Sequence, residues 1–137
     1  MLKQYFLTIQ TSGRSLTNMT SKIAECVKQA NVNTGLCNIF LHHTSASLIL
    51  CENEDPAVLT DLENFMQRIA PDDAKQYAHH IEGPDDMPSH IRSVLTQNSI
   101  TVPITKSILA LGTWQGIYLW EHRVKSHSRK MTITITE

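Results

Sequence analysis

Three of the chain's seven histidines fall within twelve positions, His79 to His90, in the run HHIEGPDDMPSH, together with Glu82, Asp85 and Asp86. Neutral imidazole suits zinc and similar ions, and a catalytic zinc site uses three protein ligands with one position open to water. His43, His79 and His90 come from three separate segments and could converge in that way. Taken alone, spaced histidines without an HExxH helix favour solvated loop residues and a hydrogen-bonded strand end. His42, His80 and His127 are read as surface residues. Carboxylates beside a metal orient its imidazoles or move protons, and Glu52, Asp85, Asp86 and Glu121 are the candidates. Asp86 has a competing role as the cap of the helix that carries His90, and one oxygen could serve each purpose. Glu52 follows the apolar run SLILC, which predicts the inner end of a strand, where an unpaired carboxylate is costly.

Other groups have plainer alternatives. Arg123, Lys125, Arg129 and Lys130 form a basic run. Such a run could meet phosphate oxygens, arginine most effectively, or simply protect an edge strand from aggregation. Trp114 and Gln115 could floor a pocket, yet a tryptophan on an apolar strand is more often core. Ser45 and Ser47 suggest a nucleophile with His43 as base, but no strained elbow motif supports it. Nothing beside Cys51 would lower its pKa.

These residues need elements to position them. Tyr5, Leu7 and Ile9 alternate with Phe6 and Thr8 in an opening strand with apolar groups on both faces, and Ile23, Cys26, Val27 and Ala30 fall on one helical stripe with Gly35 as its stop. Leu36 to His42 and Ser47 to Cys51 read as strands. Asp55 and Pro56 start a helix with Leu59, Leu62, Met66 and Ile69 inward, and Pro71 ends it. The following connection of about fifteen residues is long for a compact domain. A helix then restarts around Pro88, with Ile91, Val94 and Leu95 inward. SITVPI, the run from Ile108 to Arg123, and KMTITITE supply the remaining strands. The expectation is a single α+β domain over residues 1–137, a largely antiparallel two-sheet sandwich with two or three helices.

Composition excludes some functions. Twelve Lys+Arg against thirteen Asp+Glu give no global field for nucleic acid or an anionic membrane. No apolar run nears the roughly 20 residues of a membrane span, and the N-terminus lacks a signal-peptide core, which predicts a cytoplasmic protein. Three cysteines without CxxC spacing predict reduced thiols. No GxGxxG, GxxxxGK[ST] or GxSxG is present.

The motifs HTSASL, EN.DP, GPDDMPSH, LGTWQGIYL and EHR occur in one order from about Gln4 to Glu137, and in this the chain closely resembles the YjbQ-like family, often labelled secondary thiamine-phosphate synthase. The resemblance implies a homotrimer with a metal-holding pocket, and His43, His79 and His90 match the family's pocket histidines. It also implies a weak ability to join hydroxymethylpyrimidine diphosphate to hydroxyethylthiazole phosphate. On that reading a divalent ion, zinc by its ligands or magnesium by its substrate, stabilises the leaving diphosphate. Glu52, Asp86, Glu121 and Arg123 then serve catalysis, while Ser45, Trp114, Gln115 and Arg123 hold a small phosphorylated molecule. Two alternatives stay open: a zinc-type hydrolase, and a non-catalytic trimer that binds metal or ligand. Apolar groups on both faces of NIFL and IYLW agree with burial between subunits.

Overall fold

A computed structural model describes residues 1–137, the side chain of Ala74 excepted. Eight strands form two antiparallel sheets, with three helices around them. β1 (Leu2–Gln10), β8 (Ser128–Thr136), β3 (Thr34–Leu41), β5 (Ser99–Thr105) and β6 (Ile108–Leu109) lie side by side in that order, and β2 (Ser15–Asn18), β7 (Gln115–Glu121) and β4 (Ala46–Glu52) form the smaller sheet. Strand alternation sets the register. Tyr5 faces Ile133, Ile133 faces Ile39 and Ile39 faces Ile100, so one inward row crosses four strands. β8 is the clearest case: Met131, Ile133 and Ile135 are buried between less buried threonines.

α1 (Thr20–Ala30) buries the predicted stripe Ile23, Cys26, Val27 and Ala30 and touches strands of both sheets. Its stop is Asn31, at φ 57°, rather than Gly35. Gly35 lies inside β3, where a Cβ would stand 1.9 Å from the Thr136 carbonyl oxygen, so a close backbone approach is its reason. α2 (Pro56–Ile69) starts as expected, with the Asp55 carboxylate accepting from Ala57 N at 2.9 Å. Met66 on its apolar face is buried, but Ile69 is exposed.

α3 (Asp86–Leu95) reverses the expected orientation. Its buried face is Asp86, Pro88, Ser89 and Arg92, whereas Val94 and Leu95 are 83% and 57% exposed. Polar anchoring outweighs apolar burial here. Ser89 Oγ donates to the His122 carbonyl at 2.8 Å, Ser93 Oγ to Ala46 O at 3.2 Å, and the buried Arg92 guanidinium pairs with Glu63 at 2.8 Å. β3 and β4 belong to different sheets, so residues 42–45 cross between them, fixed by His42 N to Lys130 O and by His122 N to Ser45 O. The single strand expected around Trp114 divides into β6 and β7, which leaves Trp114 56% exposed in the turn between them rather than in the core. Cys26, Cys37 and Cys51 are free thiols. No helix of the described residues is long and apolar enough to cross a membrane.

Candidate metal centre

Asp86 opens α3 without capping it: no side-chain cap bond forms, and the helix begins instead with Ser89 N bonding to Asp85 O. The carboxylate is thereby free for other partners. His79, within the connection between α2 and α3, approaches its Oδ2 to 2.6 Å through Nε2, and His90, one turn along α3, approaches the same oxygen to 3.0 Å. The two rings tilt against each other with centroids 5.4 Å apart. Asp86 is almost fully buried, while its side-chain neighbours His79 and His90 are 41% and 30% exposed, so the carboxylate floors a cluster open to solvent from above. Among the described residues these three offer ligand atoms within 4.8 Å of one another.

The hydrogen bonds fix the state of the cluster. His90 Nδ1 lies 2.9 Å from the Thr44 carbonyl, an acceptor only, so Nδ1 carries a proton and Nε2 is the nitrogen turned to the carboxylate. Burial opposes the charge on Asp86, but the His79 bond and the positive charges of His90 and Arg123 outweigh it and hold the carboxyl below its usual range. Two imidazole nitrogens and an anionic oxygen at such distances require a proton or a cation between them.

Arg123 closes the other side. Its Nη1 donates to Asp86 Oδ1 at 2.8 Å, Nε to Asp85 Oδ2 at 3.0 Å and Nη2 to the Glu82 carbonyl at 2.9 Å. Asp85 also accepts from Val124 N at 2.8 Å. Behind it, Glu121 is buried and paired with Arg129, accepts from Thr11 Oγ1 at 2.6 Å and receives Arg123 N at 3.1 Å. Burial opposes this carboxylate's charge too, yet the Arg129 and Thr11 bonds keep its pKa low. Ser45 Oγ accepts from Arg129 at 3.0 Å.

The remaining predicted residues lie apart. His43 is near in sequence to Thr44, but its Nε2 accepts from Lys130 N at 2.7 Å and is not turned to the cluster. Desolvation, then the charge of Arg129, lowers its pKa and keeps it neutral. Glu52 is exposed at the far end of β4, accepting from Asp55 N at 3.3 Å. In β4 Ala46 faces Glu121 and Glu52 faces Gln115, so Glu52, Trp114 and Gln115 occupy the end of the small sheet, about 20 Å along the strand from the Ala46–Glu121 end. Gln115 Oε1 is occupied by Gly112 N at 2.7 Å.

The family model for UPF0047 protein YjbQ-like matches residues 5–137. The chain belongs to the YjbQ-like UPF0047 family. UPF0047 protein sll1880 of Synechocystis sp. is 51% identical over 133 residues, covering 97% of this chain and 90% of that protein. The YjbQ protein of Escherichia coli is 43% identical over 136 residues, 98% of each chain. Among solved members, an uncharacterised YjbQ/UPF0047 protein of Clostridium acetobutylicum superposes with a TM-score of 0.88 at 28% identity, covering 96% of this chain and 99% of that one.

One notable residue of this YjbQ-like chain lay within the EHR motif without a role. His122 is fully buried, with Nε2 2.8 Å from Ser47 Oγ, and burial, with the charges of Arg92, Arg14 and Arg129, pushes its pKa down to about 3. Its only sequence signal is position: a histidine directly continuing the apolar run IYLW.

Proposed function

We propose that this protein is a metal-dependent enzyme in which His79 Nε2, His90 Nε2 and the Asp86 carboxylate hold a divalent ion and act on a small phosphorylated molecule. The convergence of two imidazole nitrogens on one anionic oxygen carries this reading. Two histidines and a carboxylate with open positions suit zinc or iron(II), whereas magnesium prefers an all-oxygen shell. The donor set is thus one carboxylate richer and one imidazole poorer than the three-histidine set expected. Bound there, the ion would supply Lewis acidity toward a phosphoryl or carbonyl oxygen. Asp86 offsets its charge, and Thr44 fixes the His90 tautomer.

A cleft of about 320 Å³ lies beside the cluster, lined in part by Gly83, Asp85, Arg123 and Lys125. The small phosphorylated substrate rests on the family resemblance, since the cleft sets the carboxylates of Asp72, Glu82 and Asp85 against Arg123 and Lys125. The thiamine-phosphate synthase reaction rests on the family resemblance: diphosphate leaves the pyrimidine methylene and the thiazole nitrogen takes its place. Free thiols support a cytoplasmic setting. Exposed Leu2, Phe6, Leu36 and Phe40 on the large sheet and Val94 and Leu95 on α3 support assembly, and the ring of three rests on the family resemblance.

A second reading, a trimer that binds metal without turnover, draws on the commitment of Arg123 to Asp85 and Asp86, which leaves a leaving diphosphate in competition with two carboxylates. Metal analysis of the purified protein, then a substrate screen with and without chelator, separates them. Turnover by the metal-loaded but not the apo protein, at about 10³-fold over background or more, is expected. Metal uptake with no turnover would leave the binding role, and no metal uptake would overturn both.

A further inference from the structure

Asp85 and Asp86 are adjacent carboxylates at the start of α3, and an anionic pair in that position needs a cation to hold it together. Arg123 supplies one from the connection between β7 and β8. Its planar guanidinium reaches three points within five residues: the Glu82 carbonyl, Asp85 Oδ2 and Asp86 Oδ1. Its own backbone N–H is fixed by Glu121, a buried carboxylate paired with Arg129. A continuous line of charge-assisted contacts therefore runs from the buried Arg129–Glu121 pair through Arg123 to Asp86 and on to the two imidazoles.

The consequence for Asp86 is geometric. A carboxylate with both oxygens free can turn about its last torsion and present either one. Here Oδ1 is taken by Arg123, so Oδ2 is the oxygen left to His79 and His90. Lysine could supply the charge but not the fork, because its ammonium is a single point on a flexible stem. We infer that Arg123 is a positioning residue of the imidazole–carboxylate cluster, which locks Asp86 in the one orientation that presents Oδ2 to both histidines, rather than a direct ligand of substrate phosphate. This rests on the reading of the cluster as a metal site.

The test compares wild type, Arg123→Lys, Arg123→Gln and Lys125→Gln, each shown to be folded by circular dichroism and each titrated with zinc and with cobalt(II) alone. Wild type and Lys125→Gln should bind alike. Both Arg123 variants should bind about 10- to 100-fold more weakly, the usual effect of removing the partner that orients a ligand. Their cobalt absorption spectra should also shift, a signal that a remote loss of stability does not produce. Lysine should rescue little. If neither Arg123 variant folds, Asp85→Asn, which loosens the same fork from its other side, takes their place with the same weakening expected. A folded variant with wild-type affinity and spectrum overturns the role of Arg123. Wild type that takes up no metal overturns the metal site itself, so the two failures are distinguishable.

Discussion

His90 donates from Nδ1 to the Thr44 carbonyl oxygen at 2.9 Å, and that bond turns Nε2 toward Asp86, where His79 Nε2 also arrives. Removing this nitrogen should empty the site. His90→Ala is expected to lose most of its bound zinc at pH 7.5, while His80→Ala, whose ring bonds only to the Ala78 carbonyl, keeps it. At pH 5.5 the wild-type ion should be released, because only neutral imidazole binds. Metal content by elemental analysis checks all three; equal metal in both variants would reduce the stretch to a polar loop.

His43 should behave differently from its sequence expectation. Its Nε2 is occupied by Lys130 N–H, so His43→Ala is expected to retain far more metal than His90→Ala. The lost bond should cost about 1 kcal/mol of stability. Side-by-side metal analysis and urea unfolding measure both; metal loss as complete as in His90→Ala would restore His43 as a ligand.

His122 predicts an acid-sensitive fold. Its pKa of about 3 in the folded protein lies below the ordinary 6.5, so the unfolded chain binds the extra proton between those values. Its contribution is complete above about pH 6.5 and falls by about 1.4 kcal/mol per pH unit on acidification toward 3. Urea unfolding of wild type and His122→Gln from pH 7 to 5 should show the steeper decline in wild type. Parallel curves would place the titration elsewhere.

Glu121 and Arg129 are a buried pair, and breaking it leaves one charge stranded. Glu121→Gln should lower stability by roughly 3–5 kcal/mol, and the double variant Glu121→Leu with Arg129→Met by much less. Chemical denaturation of the single and double variants reads this out, and equal losses would argue against an uncompensated charge.

Assembly is tested by light scattering. A mass of about three chains is expected at micromolar concentration, and Phe6→Glu or Val94→Glu, each placing charge on an exposed apolar face, should lower it. A monomeric wild type would remove the ring.

The sequence by itself determined what depends on local spacing. The alternation of β8, the stripe of α1, the Asp55 cap of α2 and the restart of a helix beside Pro88 all follow from period and capping, which neighbouring residues fix. The run His79 to His90 was legible as a place of chemistry, but its membership was only half legible: the sequence named His79 and His90 with His43 as the third imidazole, whereas Asp86, one helical turn before His90, stands in that third place. Tertiary structure decided everything that needed a distant partner. It placed Glu52, Trp114 and Gln115 at the opposite end of the small sheet, because strand register, which no short motif states, sets what stands beside what. It gave His43 to a backbone N–H of β8 and Arg123 to the two aspartates, although their residue types suggested a metal and a phosphate. α3 turned its apolar stripe outward because Ser89, Ser93 and Arg92 find hydrogen-bonding partners at His122 just after β7, on β4 and on α2. Periodicity predicts a stripe but not which side the rest of the molecule will satisfy.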